Sequence, residues 1–338
     1  ESYWLSFLSQ SIIHCVRSFP DNGLKRVRKV WNTIAAYRNQ TVHIFEENQL
    51  NYDAYMLGIN DKGALLVQTE DGVKTLLTGT VSIRKKNEFI DLGNTALKWA
   101  TSDNPESPHT LVHGGSHHFS EKLLQALKDQ SVNRVYGCSV ASRDLTLSVT
   151  RLFASQGITV TWLKAQSRFD GQFSLVNSYK TPIQLGSDRW HAAIGAVSFL
   201  PGQALLVVHL GTASTVDCVF PQGDKMGFAG GRIAPGMVLM RDSLVTGTAT
   251  LPKADGEYAD FPTDTMTGIL SGIIDSQLGL IERGMRVMQQ HGFKPHLVLA
   301  GGAVSRFAPY LQKEFPNSII KHNLVLRGLA LRSESWMV

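Results

Sequence analysis

The sequence predicts an α/β protein preceded by a small all-β unit, and three observations carry that prediction. The chain has 338 residues, of which 43% are hydrophobic and 18% charged, a balance typical of globular proteins with a sizeable core. From residue 88 onward, apolar runs of strand length alternate with segments of helical periodicity, as in an α/β domain. Between residues 41 and 84, short apolar runs are separated by turn residues, which indicates a small antiparallel sheet or barrel.

Each element follows from its local pattern. Residues 22–37 predict an amphipathic helix, because Leu24, Val27 and Trp31 recur at helical spacing. Its other face is basic, which favours a solvated face, with nucleic-acid contact as the alternative. In the β unit, strands are predicted at 41–45, 55–59, 64–69, 74–77 and 81–83. In the α/β part, helices are predicted at 121–130, 143–156, 189–199, 266–291 and 305–314, and strands at 134–137, 159–163, 205–210 and 297–299.

Composition argues against several classes of protein. The three cysteines are odd in number and form no CxxC pair, so no disulfide framework is predicted and a reducing cytoplasm fits the chain. The net charge of +5 is too small to indicate a nucleic-acid binder by itself. No apolar run approaches the ~20 residues of a membrane span. From the first residues we expect no signal peptide.

Three predicted strands end in glycine turns that could hold phosphate groups. Without a Cβ, a glycine turn lets backbone N–H groups approach a phosphate closely. In the first turn Asp91 could hold Mg²⁺ and Lys98 could reach a phosphate, and in the second Thr212 offers a hydroxyl. The turns lie at residues 91–98, 209–217 and 300–302.

Any one of these turns alone would be read as an ordinary structural turn, and the set of three is what favours nucleotide binding. The first two share the order strand, glycine, small polar residue and hairpin, and Gly93 and Gly211 lie 118 residues apart. That repetition suggests two related half-domains facing one another across a cleft. No GxxxxGK[ST] segment is present, so a P-loop is excluded.

Six motifs in a fixed order carry a more specific resemblance. They are D-x-G-N-[ST]-x-x-[KR] at Asp91–Lys98, G-[AS]-D-R at Gly186–Arg189, G-T-A-x-T at Gly211–Thr215, G-G-x-I-x-P-G at Gly230–Gly236, a small-residue turn at 248–252 and Gly-Gly at 301–302. In this order they resemble the type III pantothenate kinases, the Bvg accessory factor family, which belongs to the superfamily of actin, heat-shock ATPases and sugar kinases.

The resemblance implies that residues 88–338 form two duplicated ribonuclease H-like half-domains. It implies an ATP- and Mg²⁺-dependent enzyme that phosphorylates pantothenate to 4′-phosphopantothenate, the first step of coenzyme A biosynthesis. The implied enzyme is a cytoplasmic homodimer, and we expect the long helix near 266–291 to form the contact. No nucleic-acid or membrane partner is expected.

The resemblance also assigns residues to roles, with Asp188 as the base that takes the proton of the hydroxyl. The local sequence agrees, because Asp188 opens the predicted helix 189–199, where it or Ser187 would cap free N–H groups. A plain N-cap without a catalytic role is the alternative. The residues implied for ATP are Asp91, Gly93, Asn94, Thr95, Lys98, Gly211, Thr212, Gly301 and Gly302, with Asp91 also implied for Mg²⁺. The residues implied for pantothenate are Tyr179, Gly186, Ser187, Asp188, Arg189 and Thr265.

One position departs from the family pattern. Many members carry Asp where this chain has His209, and that Asp binds a monovalent cation such as K⁺. Histidine is a poor K⁺ ligand, because K⁺ prefers oxygen donors. We therefore expect a weaker dependence on K⁺ or NH₄⁺ than in relatives with Asp.

A second group of histidines has the spacing of a metal site. His109, His113 and His117 follow one another at i, i+4 and i+8, with His118 beside them. Pro108 and the glycines at 114–115 argue against the helix that this spacing needs. We expect no metal there.

The first quarter of the chain resembles another family. Residues 58–67 and 79–84 are similar to the C-terminal domain of biotin protein ligases, a small SH3-like barrel that would span 40–86. Residues 1–39 resemble the last helices of the ligase catalytic domain. The G-R-G-R-x-G-R loop and K-W-P-N-D segment of the ligases are absent, so we expect no biotin ligase activity from this chain.

Two other functions remain open from the sequence. One is a non-catalytic module that senses nucleotide or pantothenate, with the barrel contacting a partner. The other is a kinase of a different small alcohol on the same fold. The intact set of Asp91, Asp188, Arg189 and Thr212 favours the pantothenate kinase.

Overall fold

The structure is a computed structural model. It describes residues 24–35, 38–39, 41–46, 49–77, 81–85, 87–101, 104–105, 107–115, 123, 134–248, 251 and 256–334. The chain divides into two compact units, Glu1–Lys86 and Asn87–Val338. Within the described residues, no helix has both the length and the apolar character to cross a membrane.

The first unit contains an antiparallel sheet of five strands. Its elements are α1 (Leu24–Ile34), β1 (Thr41–Glu46), β2 (Gln49–Ile59), β3 (Leu65–Thr69), β4 (Gly72–Leu76) and β5 (Val81–Lys85). The sheet order is β4-β3-β2-β1-β5, so β5 returns to pair with β1. Alternate side chains of the strands point to one face and form a small core, against which Trp31 of α1 packs. The buried members are Val42, Ile44, Ala54, Met56 and Val67.

The second unit alternates strands and helices. Its first part consists of β6 (Asn87–Leu92), β7 (Ala96–Thr101), β8 (His109–Val112), β9 (Arg134–Ser139), α2 (Arg143–Ser155) and β10 (Thr159–Trp162). Its second part consists of β11 (Arg168–Asp170), β12 (Ser174–Asn177), α3 (Ser187–Phe199), β13 (Leu205–Leu210), β14 (Ala213–Gln222), β15 (Lys225–Pro235), α4 (Met237–Gly247), α5 (Thr265–Gln290), β16 (His296–Ala300), α6 (Val304–Glu314), β17 (Ile319–Ile320) and α7 (Leu324–Glu334).

The two sheets of this unit share a strand order. The first runs β10-β9-β6-β7-β8, and the second runs β17-β16-β13-β14-β15-β12-β11. In each sheet a three-stranded antiparallel meander is followed by two strands that add in parallel beside its first strand. Strands β13–β17 therefore repeat the arrangement of β6–β10. The turns that follow β6 and β13 consequently occupy equivalent positions in their sheets.

Helix α3 is buried along most of its length, with Trp190 and Ile194 fully enclosed. It packs closely against α7, and glycine allows the approach at two points. A Cβ at Gly195 would lie 2.2 Å from the carbonyl oxygen of Leu324, and a Cβ at Gly328 would lie 1.9 Å from that of His191. Neither distance is compatible with a side chain, so these two glycines set the separation of the helices.

A buried polar network joins the same two helices. His191 Nδ1 lies 2.6 Å from the carbonyl oxygen of Ser187, and Arg332 Nη1 lies 3.0 Å from His191 Nε2. Because a guanidinium can only donate, Nε2 accepts and Nδ1 carries the ring proton. Burial, together with the charge of Arg332, lowers the pKa of His191 to about 3. The imidazole is therefore neutral and ties the C-terminal helix to the first turn of α3.

Most predicted elements occur, with shifted ends. Helix α3 begins at Ser187 rather than at residue 189, and β2 begins at Gln49 rather than at residue 55. Residues 101–118 are polar and rich in turn residues, a composition that predicts a loop or hairpin, and they contain β8, which pairs with β7. The prediction missed α4 and α7, whose apolar residues show little amphipathic periodicity. The predicted helix at 121–130 lies outside the described residues, except for Leu123.

Candidate active site

The two glycine turns that follow β6 and β13 meet each other. In the first turn the Gly93 amide donates to the Ala96 carbonyl at 3.0 Å, and in the second the Gly211 amide donates to the Ala213 carbonyl at 3.2 Å. The hydroxyl oxygens of Thr95 and Thr212 lie 2.7 Å apart and share a hydrogen bond. Turns 118 residues apart in sequence thus face one another across a single cleft, as the repeated motif predicts.

The two turns border a small cleft with an accessible volume of about 130 Å³. It brings together residues that the sequence assigned to different motifs. They include Asp91, Gly93, Asn94, Asp188, Arg189, His209, Gly211 and Thr212, joined by Val140, Ala192, Val207, Ala213, Thr215 and Asp217.

Asp91, the next-to-last residue of β6, lies beside two groups that stabilise its ionised form. Lys98 is its cross-strand partner on β7, and the Cys138 thiol on β9 donates to Oδ1 at an Sγ–O distance of 3.6 Å. Burial and the nearby Asp188 raise the pKa of Asp91 to about 6, while Lys98 and Cys138 oppose the shift. A carboxylate in such surroundings is stabilised by a further cation, so its position suits a metal–phosphate complex.

Asp188 lies in the first turn of α3. The N-cap position is Gly186, so neither Ser187 nor Asp188 occupies it, although Asp188 does satisfy one of the free N–H groups of the first turn. Ser187 instead donates from Oγ to the Ser139 carbonyl at 3.4 Å. Asp188 Oδ1 accepts from the Arg189 amide at 2.8 Å. The helix begins two residues earlier than predicted, which places Asp188 inside the helix and at the positive end of its dipole.

Arg189 is held by two partners inside the protein. Its Nε lies 3.1 and 3.2 Å from the two carboxylate oxygens of Asp217, and its Nη2 also donates to Oδ1 of that group. Its Nη1 donates to the Tyr179 hydroxyl at 2.9 Å. The side chains of Arg189 and Asp217 are only 6% and 3% exposed. The guanidinium is therefore a fixed, buried cation at the wall of the cleft.

His209 is the next-to-last residue of β13 and lines the same cleft. Burial and the nearby charge of Lys98 together lower the pKa of His209 to about 4, with Asp188 acting in the opposite direction. The imidazole is therefore neutral at pH 7. It contributes neither the negative charge that a monovalent cation needs nor a positive charge of its own.

Glycines elsewhere let other segments pack onto the second turn. A Cβ at Gly236 would lie 2.1 Å from the carbonyl oxygen of Gly211, and the Gly236 amide donates to the Thr212 carbonyl at 3.0 Å. Gly301 has a φ of +104°, and a Cβ there would lie 2.1 Å from the carbonyl oxygen of Leu210. These contacts explain why the glycines of the fourth and sixth motifs accompany the second turn.

Some predicted residues lie away from the cleft wall. Thr265 is exposed at the start of α5, where Asp264 caps the helix by accepting from the Thr267 amide at 2.9 Å. Gly302 is exposed after β16. Tyr179 reaches the cleft only through its hydrogen bond to Arg189.

The described members of the histidine group, His109 and His113, make contacts with neighbouring residues of their own sheet and turn. Among the described residues, no cluster of three or more His, Cys, Asp or Glu side chains is arranged to hold a metal ion. His109 stacks on Trp99 with ring centroids 5.2 Å apart. His113 accepts at Nδ1 from the Gly115 amide at 3.0 Å, so its Nε2 carries the proton and donates to the Gly93 carbonyl at 3.1 Å. His117 and His118 lie outside the described residues.

Asp217 and His113 are the site residues that the sequence reasoning missed. Asp217 stands within an apolar strand. A carboxylate buried in such a strand is expected to need a cationic partner. A lone carboxylate in an apolar strand therefore predicts a buried ion pair, but it does not identify Arg189 as the partner. The bracing of the Gly93 turn by His113 has no comparable sequence signal, since the two residues are 20 apart.

Comparisons with known proteins show which families this chain resembles. Residues 89–287 match the type III pantothenate kinase family, and residues 56–84 match the biotin protein ligase C-terminal domain. A type III pantothenate kinase of Laribacter hongkongensis is 38% identical over 243 residues, covering 72% of this chain and 96% of that protein. One of Aromatoleum aromaticum is 36% identical over 245 residues, with the same coverage. A solved Baf family protein of Campylobacter jejuni is 19% identical, with a TM-score of 0.48, covering 74% of this chain and all of that one.

Proposed function

The chain belongs to the type III pantothenate kinase family, and from that premise we propose how its cleft transfers a phosphoryl group from ATP to pantothenate. The observation that carries the proposal is the meeting of the two glycine turns through Thr95 and Thr212 beside Asp188. Such a cleft presents backbone N–H groups to phosphates on both sides and one carboxylate to the acceptor.

In the proposed reaction the primary hydroxyl oxygen of pantothenate attacks the γ-phosphorus of ATP. The bond between that phosphorus and the bridging oxygen breaks, ADP leaves, and the hydroxyl proton passes to the Asp188 carboxylate. The transition state of phosphoryl transfer is loose, so positioning and charge neutralisation supply most of the rate enhancement. Asp188 orients the hydroxyl and acts as base, and the product is 4′-phosphopantothenate, the entry to coenzyme A.

The remaining residues divide between the two substrates. ATP phosphates are proposed to contact the turns at Gly93–Thr95 and Gly211–Thr212, with Lys98 beside them, and Asn94, Gly301 and Gly302 complete the nucleotide side. Pantothenate is proposed to contact the first turn of α3 (Gly186, Ser187, Asp188 and Arg189), together with Tyr179. Thr265 lies outside the cleft wall of one chain, so its proposed contact requires a second subunit.

The donors present fit Mg²⁺. Asp91 is a carboxylate whose raised pKa shows that its ionised form lacks sufficient compensating charge, and Mg²⁺ binds carboxylate and phosphate oxygens. Asp91 would hold the ion, which would neutralise charge on the nucleotide phosphates. For a monovalent cation the donors fit poorly, since the neutral His209 occupies the family's acidic position. We propose that K⁺ or NH₄⁺ is less important here than in relatives with Asp.

We propose a homodimer formed through the second unit. Helix α4 has no buried residue, although its sequence is apolar, and Val238 and Leu239 are 43% and 45% exposed. It lies beside α5, whose Gln277 side chain donates to the Met240 sulfur of α4 at 3.3 Å. The exposed apolar side chains of α4 would therefore enlarge the dimer contact that we predict for α5. Light scattering of the purified chain should give twice the monomer mass, and a fully active monomer would exclude the dimer.

For the domains we propose ligase-like helices at 1–39, an SH3-like barrel at 40–86 and the kinase at 88–338. The match of residues 56–84 to the ligase C-terminal domain supports the barrel at 40–86. The shared strand order of the two sheets supports duplicated ribonuclease H-like halves in the third.

The test is a coupled assay of ADP release from ATP and Mg²⁺ with pantothenate, using the purified chain. Pantothenate-dependent turnover with formation of 4′-phosphopantothenate is the expected result. Binding of ATP and pantothenate without turnover would favour a sensing module. Turnover with another small alcohol, but not with pantothenate, would favour the other kinase.

A further inference from the structure

Arg189 and Asp217 form a buried ion pair at the wall of the cleft. Both side chains are almost inaccessible to water, and burial raises the pKa of Asp217 to about 6 even though Arg189 lowers it. Taking two charges out of water is costly, and apolar residues of similar size often stabilise a fold as well or better. The pair is therefore poorly explained by stability alone, whereas a role in orientation would account for it.

The orientation of the guanidinium is fixed from several sides. Its Nε and Nη2 donate to Asp217, and its Nη1 donates to Tyr179. Its Cζ lies 5.9 Å from the ring centre of Tyr179 and 5.7 Å from that of Phe228. These bonds use three of the five N–H groups of the guanidinium, so two remain for a ligand in the cleft that Arg189 lines.

Gly231 leaves the space that this pair occupies. It is the register partner of Asp217 on the neighbouring strand β15. A Cβ at Gly231 would lie 1.9 Å from Asp217 Oδ1 and 2.7 Å from Arg189 Nη2. A side chain at this position would displace the pair without removing either charge, and it would also meet the Val216 carbonyl oxygen, 2.7 Å from that Cβ.

We propose that Asp217 is a positioning residue, which holds the Arg189 guanidinium so that its two remaining N–H groups meet pantothenate. The inference rests on the proposed function, which assigns Arg189 to that substrate. Asp217 acts at a distance, because it touches Arg189 and not the reacting atoms. Arg189 also carries the amide to which Asp188 is bonded, so the pair steadies the turn that holds the base.

The experiment measures steady-state kinetics of Asp217→Asn, Gly231→Ala and Arg189→Lys, singly and with Asp217→Asn combined with Arg189→Lys. For Asp217→Asn we expect kcat/KM for pantothenate to fall about 10- to 100-fold, as for loss of a charge-assisted hydrogen bond, with KM for ATP changed by less than about threefold. In the Arg189→Lys background, Asp217→Asn should lower kcat/KM for pantothenate by less than about threefold, because lysine has no guanidinium for Asp217 to orient.

Gly231→Ala should reproduce the pantothenate defect with both charges intact, and it decides the question if Asp217→Asn does not fold. Asp224→Asn, in the exposed turn between β14 and β15, is the matched control and should keep wild-type kinetics. Equal loss for both substrates, or additive effects in the double variant, would overturn the positioning role. A wild-type chain without pantothenate-dependent turnover would overturn the proposed function instead and remove the basis of this inference.

Discussion

His209 offers the sharpest test of how this cleft balances its charge. The substitution His209→Asp restores a carboxylate at the position where the family resemblance implies a cation ligand. In this structure the pKa of His209 is lowered from 6.5 to about 4. That shift disfavours the imidazolium by roughly 3 kcal/mol, so only about one molecule in a thousand is protonated there at pH 7.

The size of the effect follows from the charges around the cleft. Asp91, Asp188 and Asp217 face Lys98 and Arg189, an excess of one negative charge while His209 is neutral. His209→Asp raises the excess to two. A carboxylate about 5 Å from a bound cation contributes roughly 3 kcal/mol at an effective dielectric constant of about 20, part of which is lost in dehydrating the ion.

The assay compares K⁺ with Na⁺ or Tris in pantothenate-dependent ADP release, at constant ionic strength so that screening is unchanged. K⁺ should change the wild-type rate by less than about twofold and stimulate His209→Asp at least about fivefold, an estimate that follows from the Coulomb energy. His209→Asn is the matched control, polar but uncharged, and should gain no K⁺ response. A strong saturable K⁺ requirement in the wild type, unchanged in His209→Asp, would refute the reasoning.

Three further predictions concern the base, the helix packing and pH. Asp188→Asn should keep the fold and ATP binding but lower kcat about 10²- to 10⁴-fold, and retention of more than about a tenth of the activity would exclude Asp188 as base. Gly328→Ala, with its Cβ 1.9 Å from a backbone oxygen, should lower the free energy of unfolding by about 1–3 kcal/mol in denaturant titrations, whereas Gly247→Ala, which meets nothing, should not. The lowered pKa of His191 means that its contribution is fully present above pH 6.5 and is lost as pH falls toward 3. The free energy of unfolding should therefore fall less steeply between about pH 7 and pH 5 in a folded His191→Gln variant, and identical slopes would contradict the assignment.

Local pattern alone placed the glycine turns correctly. Gly93 and Gly211 follow strands β6 and β13 as predicted, because a strand that ends in glycine and a small polar residue encodes its turn within a few residues. The order of motifs likewise identified the family, which the match over residues 89–287 confirms. These features depend on neighbours in sequence, so the sequence determines them.

The tertiary structure alone paired Arg189 with Asp217 and Thr95 with Thr212, and it set the pKa values of Asp91 and His209. Those residues lie 28 and 117 positions apart in the two pairs, and no local periodicity links them. Burial and Coulomb energy depend on distances through space, which exist only once both sheets and α3 have packed. For the same reason Thr265 could be assigned from a motif and still lie outside the cleft wall of its own chain.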